Sequence, residues 1–332
     1  HVPEPEPVVE PSPVADTTLA FTGCGTTSQQ STQTAQAVAN WSETFDGTTT
    51  NFSVSAPPTH AVSMSQATTE MMLQLGLADK MAGTAFKEEE IYGPLQGEFD
   101  KVKVLSDKWP SYEVFMSVKP DFATGWPDSF SKRAIPADKM IANNVNIWIP
   151  ESMLSTKADL ETNFKDMIML GKIFGVESKA NEWVTSQRDT LSKVQAQLKD
   201  VPRKRVFIYD SEDGQPFTAF EGYTTNILRL IGADNVMSGL GVDKTWAKGS
   251  WETVIAQNPA YIIIADYGNS IRNDDDFQQK IAKLKSNPQL QDITAIKENH
   301  FIRVKLSEIT PGVRTVDALK RLAQEIHGIT IQ

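Results

Sequence analysis

The stretch SYEVFMSVKPDF, residues 111–122, has a counterpart in SWETVIAQNPAY, residues 250–261. Aligned, each reads Ser, an aromatic residue, Glu, an apolar run, and a Pro seven residues after the Glu. A Ser before a periodic run opens a helix, and a Pro beyond it stops one, so each stretch predicts a short helix leading into a strand. A second echo pairs LQLGLADKMAG, residues 73–83, with LRLIGADNVMSG, residues 228–239. Two echoes in the same order imply two similar domains in one chain.

Working outward, the pattern alternates strand and helix. HAVSM (60–64) reads as a strand, SQATTEMMLQLG (65–76) as a helix closed at Gly76, then KVKVL as a strand and DFATGW as a buried strand. A helix across 132–143 leads into VNIWI (145–149). The second half repeats the scheme with RVFIYD (205–210), TTNILRLIG, YIIIADY and HFIRVKL, and helices over DDFQQKIAKLKS and VDALKRLAQEIHG. Such alternation implies α/β lobes with central parallel sheets covered by helices. The expected lobes are residues 57–157 and 201–332. Between them, residues 158–200 carry Phe164, Ile168, Ile173, Trp183, Val184, Leu191, Val194 and Leu198 at helical spacing. One interdomain helix of roughly 40 residues would span about 60 Å, with Gly171 or Gly175 as its bending point.

The first 56 residues read as a disordered tether. HVPEPEPVVEPSP (1–13) is a composition that stays extended, and the following Ser, Thr, Gln and Asn stretch has few large apolar residues to bury. Cys24 stands between these pieces in FTGCGTTS. A small residue before Cys, then a polar tether, is how a mature bacterial lipoprotein begins, which marks Cys24 for lipidation. No basic start or continuous apolar run precedes it, so an incidental cysteine reads equally well.

Composition narrows the function. In 332 residues, with 40% hydrophobic and 22% charged, the net charge of −10 weighs against a nucleic-acid partner. A single cysteine rules out an internal disulfide, and His60, His300 and His327 lie far apart, so a naked-metal site has little support. There is no phosphate-binding Gly-rich loop or nucleophile elbow. An enzyme with two Rossmann-like lobes is the rival class, but Glu151, Glu212 and Asp213 have no partner base by motif.

The residues from about 57 to 330 resemble the extracytoplasmic substrate-binding proteins of bacterial ABC importers, in the group for iron–siderophore, haem and vitamin B12. The resemblance is carried by VSMSQATTEMMLQLGLADKMAGTA, SYEVFMSVKPDFATGW, GADNV, SWETVIAQNPAYIIIADY and the central helical segment. It implies two Rossmann-like lobes joined by a long helix, a ligand between them, and no catalysis. It also implies a monomer, extracytoplasmic and either periplasmic or lipid-anchored, with the importer's permease and ATPase subunits as partners. Glu113 and Glu252 fall where the family places one carboxylate per lobe to meet permease arginines. Each would also complement a helix dipole, worth ~0.3–1 kcal/mol.

Ligands of parallel sheets lie beyond the strands' carboxyl ends, here a cleft between lobes. The candidates on those loops are Met64, Gln66, Phe86, Lys108, Trp109, Trp126 and Trp148 in the first lobe, with Tyr209, Phe217, Tyr223, Trp246, Tyr267 and Arg314 in the second. Five of the seven tryptophans fall in or beside these loops, Trp251 included, and aromatic loop tips suit a large amphipathic ligand. Lys87, Lys108, Lys132, Arg133, Lys248 and Arg314 could pair with an anionic chelate. The expected ligand is a ferric siderophore that brings its own Fe3+, with no resident cofactor or protein-held metal. A corrinoid, haem with Tyr209, Tyr223 or Tyr267 as axial ligand, or a deazaflavin precursor are the alternatives.

Overall fold

The computed structural model describes residues 38–268 and 277–332, so Cys24 and the start of the tether lie outside the described residues. From residue 38 the chain is no tether. Strands β1 (Ala39–Phe45) and β2 (Thr48–Val54) pair as an antiparallel hairpin. Asp46 and Gly47 form its turn, both at positive φ (49° and 78°), the geometry that an Asp-Gly dipeptide favours. Alternation carries Trp41 onto Phe52, with ring centroids 5.9 Å apart, and both are buried. The compositional reading of residues 1–56 therefore fails over the hairpin, where Trp41 and Phe52 supply the missing core.

The first lobe is a five-stranded parallel sheet in the order β5-β4-β3-β6-β7. Its strands are β3 (Ala61–Ser63), β4 (Met81–Ala85), β5 (Val104–Ser106), β6 (Phe122–Thr124) and β7 (Asn146–Trp148). Helices α1 (Gln66–Gln74), α2 (Tyr112–Ser117) and α3 (Ala137–Ala142) connect them. The hairpin closes the exposed edge at β7. Trp41 Nε1 donates to the Ile147 carbonyl at 2.7 Å, and the Ile149 N–H donates to Glu43 at 3.0 Å. An open edge would otherwise template pairing with another chain.

Two helices, α4 (Leu160–Ile173) and α5 (Glu177–Gln197), join the lobes. The long interdomain helix is α5, of 21 residues, about 30 Å at 1.5 Å each. The expected 40-residue span is shorter because the chain reverses at Gly175, whose φ of +71° a side chain would resist. The two helices pack antiparallel: Phe164 meets Trp183 edge to face at 5.8 Å, and Arg188 reaches Glu161 at 2.5 Å. Phe164 packs in the second lobe's core, while Met167, Leu170 and Ile173 pack in the first. On α5, Ala180 packs in the first core, and Val184, Leu191 and Val194 in the second. Both helices thus cross the junction, a stiffer bridge than one.

The second lobe holds β8 (Lys204–Tyr209), β9 (Ser211–Asp213), β10 (Gln215–Ala219), β11 (Ala233–Asn235), β12 (Trp246–Lys248), β13 (Tyr261–Ala265) and β14 (Phe301–Val304). Its helices include α6 (Tyr223–Arg229), α7 (Trp251–Gln257), α8 (Phe277–Ser286) and α9 (Thr315–His327). The parallel sheet runs β11-β8-β13-β14, which repeats β4-β3-β6-β7 strand for strand. Strands β12, β10 and β9 form a separate antiparallel sheet with no counterpart in the first lobe.

The quoted repeats occupy equivalent corners. Ser111 accepts from Val114 N at 3.2 Å to cap α2, and Ser250 accepts from Thr253 N at 3.1 Å to cap α7. Each helix leads to a central strand, β6 or β13.

Candidate functional site

The carboxyl ends of the two parallel sheets contribute to one cavity of about 340 Å³. Gln66 enters it after β3, Phe86 after β4, Trp109 after β5, Trp126 and Asp128 after β6, and Ser152 and Met153 after β7. The second lobe answers with Asp210 after β8, Tyr267 after β13, and Leu306, Ser307 and Thr310 after β14. Its extra antiparallel sheet adds Phe217 and Trp246, with Glu221 and Tyr223 just beyond. Gly222 makes that last turn at φ 91°, ψ −151°, a region open essentially to glycine alone.

Each lobe presents an aromatic pair. Phe86 stacks on Trp109, centroids 4.4 Å apart and planes 29° apart, and Trp109 Nε1 donates to the Met64 carbonyl at 2.8 Å. Phe86 holds its ring there with a left-handed backbone, φ 61°, which costs a bulky residue on the order of 1–3 kcal/mol. Phe217 and Trp246 lie on adjacent strands with centroids 6.3 Å apart and planes 16° apart.

Carboxylates share the lining with the aromatics. Asp210 accepts from the Tyr267 hydroxyl and from Ser211 Oγ at 2.8 Å. Buried Lys280 lies 4.5 Å from the Tyr267 ring centroid and donates to the carbonyls of Ala265, at 2.7 Å, and Asp210. Glu221 accepts from Ser238 Oγ and from Gly239 N at 3.2 Å. Asp128 pairs with Arg133 at 2.8 Å, and burial nonetheless raises its pKa above the ordinary carboxylate value. Gln66 Oε1 receives the N–H groups of Glu88 and Glu89 at 2.8 and 3.0 Å, which orders that loop.

Of the thirteen expected ligand residues, Gln66, Phe86, Trp109, Trp126, Phe217, Tyr223, Trp246 and Tyr267 line the cavity. Five do not. Met64, Trp148 and Tyr209 are buried in the cores. Strand alternation explains Tyr209, which shares the parity of Phe207 and packs with it, leaving Asp210 to face the cleft. Lys108 is exposed, and its carbonyl receives Phe86 N at 3.2 Å. Trp251 is likewise a core residue, in contact with Phe207 and Tyr209.

Arg314 is the fifth. It clamps the lobes together, with Nε to Glu70 Oε1 at 2.9 Å and Nη2 to Glu70 Oε2 at 2.6 Å. Nη1 reaches Glu89 at 3.2 Å, and the guanidinium lies 5.5 Å from the centre of the Tyr92 ring. Ser307 also donates to Glu89, and Tyr92 to Asp317. All three tyrosines named as axial ligands have committed hydroxyls: Tyr209 donates to Glu212 at 2.6 Å, Tyr223 shares a hydrogen bond with Thr315, and Tyr267 binds Asp210. Among the described residues no three His, Cys, Asp or Glu side chains gather as a metal site.

Two buried carboxyls hold the chain that follows β7. Asp166 on α4 accepts from Glu151 N at 2.8 Å and from Ser152 N at 3.0 Å, fixing the turn that presents Ser152 and Met153. Burial raises its pKa to about 7, and burial also holds Glu43 well above the ordinary carboxylate range. Both stay protonated when folded at pH values where the unfolded chain has ionised. Their favourable contribution is complete below the ordinary values of 3.8 and 4.5 and, for Asp166, is lost as pH rises through about 7. The melting temperature should therefore fall between pH 5 and pH 8. Glu43→Gln keeps an acceptor for Ile149 and should melt about 3 °C above the parent at pH 8, with the gap vanishing at pH 4. A pH-independent gap in thermal melts would refute the linkage.

Glu113 and Glu252 are both exposed in the first turns of α2 and α7, away from the cavity. Exposed apolar residues accompany them, Val114 beside Glu113 and Ile255 one turn from Glu252.

Two α/β lobes, a two-helix bridge and a shared cleft form the frame of a two-lobed binding protein. The chain belongs to the periplasmic binding protein family, whose pattern it matches over residues 62–306. A periplasmic binding protein from Veillonella parvula is 85% identical, with a TM-score of 0.87, covering 89% of this chain and all of that one. An ABC transporter substrate-binding lipoprotein of Bacillus subtilis, YvrC, is 23% identical over 95% of both chains. A vitamin B12-binding protein of Vibrio vulnificus is 22% identical over 84% of this chain and 94% of its own. The family sets an extracytoplasmic location. Among the described residues no helix is long and apolar enough to cross a membrane.

Proposed function

We propose that the protein captures a ferric siderophore between its lobes and delivers it, as a monomer, to the permease and ATPase subunits of an importer. The observation that carries this reading is the pair of aromatic stacks, one per lobe, on a single cavity. They offer apolar faces to the organic shell of a chelate, while the iron arrives with its own oxygen ligands and needs no resident cofactor. Haem fits less well, because the three candidate tyrosine hydroxyls are engaged by protein partners. Glu113 and Glu252 are assigned to permease docking, and Cys24 to the lipid anchor.

A corrinoid is the second reading, favoured by the B12-binding relative. Against it stands size: about 340 Å³ lies near the lower end of small-molecule sites, which run from about 300 to 1,000 Å³. A compact octahedral chelate fits such a cavity better than a macrocycle with its appended nucleotide. Titration of the full chain with ferric tris-hydroxamates should quench tryptophan fluorescence saturably, with Kd on the order of 1 μM or below. Tight quenching by cyanocobalamin, with no response to ferric chelates, would replace the first reading by the second.

A further inference from the structure

We infer that the cleft sorts chelates by charge, accepting cationic and neutral ones and rejecting anionic ones. This rests on the reading of the cavity as a chelate site and specifies the class of chelate. The lining carries five carboxylates, on Glu88, Glu89, Asp128, Asp210 and Glu221, and one cation, Arg133. Just behind it stand Glu70, Arg314 and Lys280. Among the described residues the balance is six carboxylates against three cations.

The three cations are already engaged. Arg133 holds Asp128, Arg314 is forked onto Glu70, and Lys280 donates to two backbone carbonyls. By contrast, the carboxylate oxygens of Asp210 and Glu221 accept from neutral hydroxyl and amide donors, and the Lys280 ammonium meets Asp210 at its backbone carbonyl. An ionised carboxylate has about four acceptor positions, so both retain capacity for a ligand ammonium. The faces of Trp109 and Trp246 attract the same sign of charge through their ring quadrupoles. An anionic chelate entering here meets repulsion strengthened by partial exclusion of water. The loop lysines and arginines that suggested an anionic cargo do not oppose this, since of those six only Arg133 lines the cavity.

The test uses three ferric linear tris-hydroxamates with one iron core and different tails: a free ammonium (net +1), its N-acetyl form (net 0) and its N-succinyl form (net −1). Quenching titrations of the full chain should give a succinyl Kd at least about tenfold above the ammonium one. The gap should narrow between 50 and 500 mM NaCl and shrink in Asp128→Asn/Glu221→Gln. Equal or tighter binding of the succinyl form, or a salt-independent gap, overturns the inference. If no hydroxamate binds, the siderophore reading falls separately, and charge sorting is read from neutral cyanocobalamin against cobyrinic acid with free carboxylates. Equal affinity in that pair overturns the inference as well, as does failure of both chelate classes to bind.

Discussion

Arg314→Ala is expected to lower the melting temperature by about 10 °C and to loosen the lobes. The side chain of Arg314 is only 11% exposed and that of Glu70 only 3%. A buried pair contributes modestly as a pair, but removal of one partner strands the other, at about 3–5 kcal/mol. Without the guanidinium, Glu70 would keep Gln66 Nε2 and Tyr92 N, both at 3.1 Å, as its hydrogen-bond donors. Glu89, whose pKa burial already raises, would keep Ser307. For a chain of this size a loss of 1 kcal/mol moves the midpoint by about 2–4 °C, which sets the expected drop.

Glu70→Gln/Arg314→Met removes both charges and should recover about half of that loss, because no buried ion is left unpaired. The clamp joins residues 244 positions apart and holds Glu89 of the cavity lining, so Arg314→Ala should also weaken ligand binding and speed proteolysis at the junction. A melting point within 2 °C of the parent would show that the cluster does not hold the lobes.

That clamp was invisible in the sequence, and the reason is physical. Local patterns report contacts at helical or strand spacing, whereas Arg314 and Glu70 meet only after both lobes have folded and docked. The repeated sheets were legible because each corner depends on local signals: Ser111 or Ser250 to start a helix, and Pro120 or Pro259 to end it. The hairpin was legible too, through the Asp46–Gly47 turn, but composition outweighed that signal. For Tyr209 the position at a strand end points to the cleft, whereas its alternation with Phe207 points to the core. Aromatic lining residues such as Trp109 and Trp126 stood out because aromatics in loops are unusual. Asp210 and Glu221 did not, since carboxylates in loops are common and only the fold turns them inward.

Replacing Glu113 and Glu252 together by Ala is expected to reduce uptake to background while leaving chelate affinity unchanged. The two carboxylates sit at the same step of equivalent helices, each two residues beyond a capping Ser, on lobes braced by α4 and α5. Rigid presentation matters, because two charge-assisted pairs at fixed separation act as one bivalent contact. Loss of one carboxylate should therefore cost at least about tenfold in importer affinity, and loss of both should abolish productive docking. The alternative, that each Glu merely complements its helix dipole, predicts a loss of ~0.3–1 kcal/mol per site and little change in uptake. Thermal melts and uptake separate the two: a near-parental melting point with lost uptake supports docking, and a lowered melting point with retained uptake supports the dipole role. Restored uptake when Glu113→Arg is matched by an Arg→Glu change in the permease would tie that lobe to its partner residue.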